Sequence, residues 1–214
     1  MSYLGTPFHK FWLKCVDEKI HPADKPFMKN LENPRGRFIR PPDFKFSVPP
    51  CPFDGPLEKA KIIVCLANPN YLGLPGDISQ IVLRQRTGTE SLPREWDRWY
   101  EPKLSRPLGL TMDELREKTA ILNLCPYESK YMEGPELSIA AGLRSVWEVQ
   151  KYLREVLIPR ALKKEIHLVF IRKHVLWGIT EGWEATNIHI ERGQELSGVI
   201  PARLGEILKN SISQ

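Results

Sequence analysis

The pattern of apolar and polar positions divides this chain near residue 60. From Lys61 to Ala67, Ile62, Ile63, Val64, Cys65 and Leu66 form an unbroken apolar run. Such a run predicts a strand buried on both faces, as in a parallel sheet. Ala120–Cys125 and Ile166–Ile171 repeat it, and Asn187–Ile190 is a weaker fourth example. Helical spacing lies between them. Ile78–Arg86 predicts a short helix, and Thr111 with Glu114 three residues on predicts a capped helix through Lys118. Leu143, Val146, Trp147, Val149, Leu153, Val156 and Leu157 recur every three or four residues, predicting a long helix over Ile139–Leu162, kinked or ended at Pro159. Short and final helices are expected at His174–Gly178 and Pro201–Lys209.

Residues 1–59 read differently. They hold ten of the 19 prolines, which fix φ and remove amide donors, so long regular elements are not expected. They also carry Phe8, Phe11, Trp12, Phe27, Phe38, Phe44, Phe46 and Phe53, more aromatics than a disordered tail. This stretch is expected to be a Pro-rich arm that wraps a core formed by residues 60–214, with a short helix near Pro7–Glu18. Alternation of strand and helix then predicts an α/β three-layer sandwich with a four-stranded, mainly parallel sheet.

Composition narrows the classes. The 214 residues are 42% hydrophobic and 27% charged, which excludes a disordered, collagen-like or coiled-coil chain. No apolar run reaches eighteen residues and the N-terminus has no apolar core of a signal sequence, so no membrane association is expected. Lys and Arg number 31 against 26 acids, a net +5 that permits a polyanionic partner without demanding one. Four cysteines with no CxxC pair are expected to be reduced thiols in a cytoplasmic protein. The histidines His9, His21, His167 and His189 lack partners at ligand spacing, so no metal site is expected. Dinucleotide, triphosphate and esterase motifs are also missing, and no cofactor is expected.

In parallel sheets ligands bind beyond the carboxyl ends of the strands. Three turns therefore carry the candidate chemistry. After the first strand comes Asn68-Pro69-Asn70-Tyr71-Leu72-Gly73, where an Asn-Pro step holds the Asn68 amide at the strand mouth. Equally, it is ordinary turn chemistry. After the second strand, Tyr127, Glu128, Ser129, Lys130 and Tyr131 gather rings, a carboxylate, a hydroxyl and a cation. Tyr127 can stack on a base and Lys130 can meet a phosphate, or the segment is a solvated loop under a packed Tyr127. After the third strand, Arg172, Lys173 and His174 stand beside Trp177, with capping and core packing as the competing roles.

Together these segments resemble a known family. KIIVCLANPN is similar to the first motif of the uracil-DNA glycosylase superfamily, in which a buried strand enters a Gly-x-Asn-Pro-Gly turn. VFIRKHVLWG resembles a later strand of the same enzymes, which ends in Leu-Trp-Gly. The likeness covers residues 60–208 and leaves the arm aside. It implies a four-stranded parallel core, with Asn68 where the family places its water-orienting Asn or Asp and Pro69 following as in the family. Tyr127 is a stacking candidate without a motif match. Asn70 replaces the family's glycine or tyrosine. The family's closing His-Pro-Ser has no counterpart; the nearest stretch runs from Glu191 to Gly198, where Arg192 is the candidate for its electrostatic part.

Three functions stay open. One is hydrolysis of the N-glycosidic bond of a flipped, damaged base, with Asn68 catalytic and Pro69, Asn70, Tyr71, Tyr127, Ser129, Lys130, Arg172, His174 and Arg192 binding the substrate. The second is a non-catalytic relative that binds DNA or a nucleotide. The third is an unrelated small-molecule enzyme on the same frame.

Overall fold

The computed structural model describes residues 5–15, 18–28, 41–70, 78–171, 173–180, 187–191, 200 and 202–212. Five strands form one sheet: β1 (Phe53–Asp54), β2 (Ile62–Leu66), β3 (Thr119–Asn123), β4 (His167–Ile171) and β5 (Ile188–Glu191), in the spatial order β1-β3-β2-β4-β5. Four of these are parallel, and β1 pairs antiparallel with β3, Phe53 opposite Leu122. The chain is thus mixed α/β with a mostly parallel sheet. The strand count corrects the four expected. The fifth strand is two residues long and comes from the Pro-rich segment, where no alternation announces it. Pro52 and Pro56 bracket it, and an edge strand is where such neighbours are tolerated.

The apolar runs fold as strands because both sheet faces are covered. Ile63, Cys65, Ala120, Leu122, Leu168 and Phe170 share one apolar cluster with Phe8, Trp12, Leu143, Val149, Leu153 and Trp177. Ile62, Val64, Ile121, Val169 and Ile171 point the other way, onto Val82, Trp96, Tyr100, Leu115, Leu204 and Leu208. The two-residue period of a strand thus sends alternate side chains into two cores. One is roofed by the β3–β4 connection and the N-terminal helix Pro7–Trp12, the other by the β2–β3 connection and the helix Ala202–Ile212.

Helix ends follow local chemistry. The helix Met112–Lys118 starts in a complete capping box, with Thr111 Oγ1 accepting from Glu114 N at 3.2 Å and Thr111 N donating to Glu114 Oε2 at 2.9 Å. The expected long helix is divided. Pro135–Ala140 stands apart, and Arg144–Tyr152 runs through a wide turn at Leu153–Leu157 into Ile158–Leu162. Pro159 lacks the amide that would continue an ordinary turn, and the widened turn just before it accommodates the ring without ending the helix. All four cysteines are buried free thiols, Cys15 and Cys51 included, although their surroundings in sequence are polar.

Candidate functional site

β2 sends its connection to β3 on one side of the sheet, and β4 sends its connection to β5 on the other. A crevice opens where such loops part, outside the carboxyl ends of the strands. Asn68 lies at this carboxyl end of the sheet, two residues beyond β2 and partly buried. The β2–β3 ladder continues past the strands: Leu124 N donates to Leu66 O and Cys125 N to Ala67 O, both at 2.9 Å, and Ser129 N to Pro69 O at 3.4 Å. The two turns therefore leave the sheet side by side.

This pairing orients the Asn68 carboxamide. Its Nδ2 donates to Ser129 O at 2.7 Å and to Pro69 O at 2.9 Å, with Ser129 Oγ at 3.4 Å. Both close partners are carbonyl oxygens and cannot donate, so only the NH2 end can face them. The Oδ1 end is turned away and accepts no hydrogen bond among the described residues. Ser129 is itself buried and its hydroxyl donates to Tyr131 O.

The N-terminal segment flanks the second turn from its other side. Lys45 N donates to Glu128 O at 2.8 Å. Asp43 accepts Lys130 N–H at 3.2 Å and the Lys45 ammonium at 2.6 Å, while its own N–H donates to the buried Glu136 carboxylate at 2.7 Å. The turn after β4 is tied to the same region by Lys173 Nζ to Glu133 Oε1 at 2.8 Å. Lys130 is exposed, its Nζ 5.0 Å from the Tyr131 ring centre, and its hydrogen bond to that side chain raises its pKa above the usual lysine value.

No family model, curated protein or solved structure matches this chain.

The expected site residues therefore stand on their geometry. Asn68, Ser129 and Lys130 come together; Pro69 is buried and serves through its carbonyl, and Asn70 is exposed beside them. Tyr127 does not face a crevice, which corrects its expected stacking role. It is 1% exposed, set against Phe44 and Phe46, with its hydroxyl donating to Asp24 Oδ2 at 2.6 Å and accepting from His21 N at 3.1 Å. Burial pushes its hydroxyl pKa far above the usual phenol value. His174 is half-buried and opens the short helix His174–Trp177, its carbonyl accepting from Ile179 N. Tyr71, Arg172 and Arg192 lie outside the described residues.

Asp43 and Glu136 were not legible as site residues. Asp43 lies in the Pro-rich segment 87 positions from Lys130, and no spacing rule links them. An open charged groove of about 660 Å³ has Arg84, Arg94, Asp113 and Arg116 on its wall. Arg116 is already paired with Asp97 and with Asp113, so the groove's buried guanidinium has its own carboxylates.

Proposed function

We propose that this chain is a glycosylase-like hydrolase that receives a base in the crevice beyond β2 and β3 and hydrolyses its N-glycosidic bond. The observation that carries the reading is the fixed Asn68 carboxamide. With its nitrogen held by two carbonyls, Oδ1 is an oriented acceptor for a water at the strand mouth. That water attacks the anomeric carbon, the bond to the base nitrogen breaks, and the base departs with the bonding pair and takes up a proton. The sugar keeps the hydroxyl. The resemblance of KIIVCLANPN to the first glycosylase motif agrees, since it places the water-orienting residue at Asn68. DNA carrying a flipped, damaged base is the proposed substrate, and the unpairing it needs, a few kcal/mol, is smallest in damaged or single-stranded DNA.

Chromatography of free base released from uracil- or hypoxanthine-containing oligonucleotides tests this. Release by the intact protein, reduced about a hundredfold or more in Asn68→Ala, is expected for loss of a water-orienting group. No release by the intact protein sinks the hydrolytic reading. A second reading, binding of DNA or a nucleotide without turnover, draws on the burial of Tyr127, which removes the stacking ring from the crevice. Salt-dependent oligonucleotide affinity without base release would favour it.

A further inference from the structure

We infer that Tyr131 with Lys130, not Tyr127, is the contact that grips a nucleotide at this site, the ring stacking on a base and the ammonium meeting the adjoining phosphate. The inference rests on the proposed nucleic-acid reading and names the residues that would recognise the strand. Of the two aromatics in the turn after β3, Tyr127 is sealed in the core, whereas Tyr131 is 44% exposed. The main chain of this turn is tied to the candidate catalytic amide: Asn68 Nδ2 donates to Ser129 O, and Ser129 Oγ donates to the backbone carbonyl of Tyr131. The turn is also fixed from its far side, where Lys130 N–H donates to Asp43 Oδ2. Both anchors hold the main chain of the turn, so the exposed ring and cation are presented by a pre-organised loop, which lowers the ordering penalty of binding.

The pair has the right chemistry for a single strand. Lys130 makes no ion pair among the described residues; its ammonium lies 5.0 Å from the Tyr131 ring centre and keeps its charge. A base arriving on the ring takes the place of that cation, and the flexible lysine then reaches the phosphate of the same nucleotide. Stacking on an aromatic ring tolerates any base, while the phosphate contact makes affinity salt-dependent.

Fluorescence anisotropy with a labelled single-stranded 15-mer, read from low to moderate salt, tests the pair on the full chain. Tyr131→Ala should weaken binding about tenfold or more and Tyr131→Phe should restore it, since the ring and not the hydroxyl stacks. Lys130→Ala should reduce the slope of log affinity against log salt by about 0.7, the loss of one single-strand phosphate contact. Unchanged binding in Tyr131→Ala, or no binding by the unaltered protein, overturns the inference. Base release by the unaltered protein and by Asn68→Ala is measured in parallel. Release without dependence of binding on Tyr131 overturns this inference and leaves the hydrolytic reading standing; Tyr131-dependent binding without release does the reverse.

Discussion

Asp24 is a fully buried acidic side chain held by hydrogen-bond donors from two other segments. Tyr127 Oη–H reaches one oxygen and Ser145 N–H the other, at 2.6 and 3.0 Å. Three segments far apart in sequence thus meet at one side chain. Tyr127→Phe should leave both Asp24 Oδ2 and His21 N–H short of a partner and lower stability by about 1–3 kcal/mol, measured by urea unfolding. Two other groups, buried Asp54 and half-buried His189, should give stability opposite pH dependences. Burial pushes Asp54 up from 3.8 to about 7, with the Cys51 thiol as its hydrogen-bond donor. The folded chain then holds a proton that the unfolded chain loses, so stability falls as pH rises from about 3.8 to about 7 and is level above. Burial, aided by His167, pushes His189 down to about 4 from 6.5. There the unfolded chain takes the proton first, so stability falls as pH drops from 6.5 to about 4. In unfolding midpoints read between pH 4 and 8, Asp54→Asn should remove the fall in stability as pH rises toward about 7, and His189→Gln should remove part of the opposing rise between about 4 and 6.5.

Among elements, features encoded by neighbours were legible and those encoded by contacts were not. The Thr111 capping box is a three-residue signal and forms with both hydrogen bonds. Three of the four parallel strands announce themselves as apolar runs, β5 (Ile-His-Ile-Glu) only by weak alternation, and all four fall within a residue or two of the expected ends. By contrast, the helical stretch from Arg94 to Leu108 is assembled from short pieces with Pro102 and Pro107 at first-turn positions, where their missing amides are not needed. Proline content there argues against helix unless the pieces are known to pack. The helix Ala202–Ile212 shows what packing demands: a Cβ on Gly205 would stand 2.0 Å from Pro107 O. Gly205→Ala should force that helix off the Arg106–Leu108 segment, lowering the melting temperature and destabilising by about 1–3 kcal/mol in calorimetry.

At the scale of the molecule, the Pro-rich segment is a working part of the domain. It contributes β1, which covers one edge of β3, and it carries Phe8 and Trp12, buried in the same cluster as Ile63 and Leu122. A covered edge also blunts strand-to-strand association. Removing residues 1–59 should therefore expose the β3 edge and one sheet face. The truncated chain is expected to lose dispersed amide resonances and to associate, read by NMR and light scattering; a monomeric, well-dispersed spectrum would show that residues 60–214 stand alone. The same segment reassigns the candidate site. Asn68 was legible because an Asn-Pro step after a buried run is a local signal. The role of Tyr127 was not, because what decides it is Asp24, 103 positions away.

The chain's own text determines the α/β class, the parallel strands, the capped helix and the amide at the first strand's mouth, because each depends on residues a few positions apart. The tertiary structure alone decides the antiparallel fifth strand, the burial of Tyr127, the exposure of Tyr131 and the direction of the Asn68 oxygen. Those depend on which distant segments supply hydrogen-bond partners and cover apolar surface, and no local spacing carries that information.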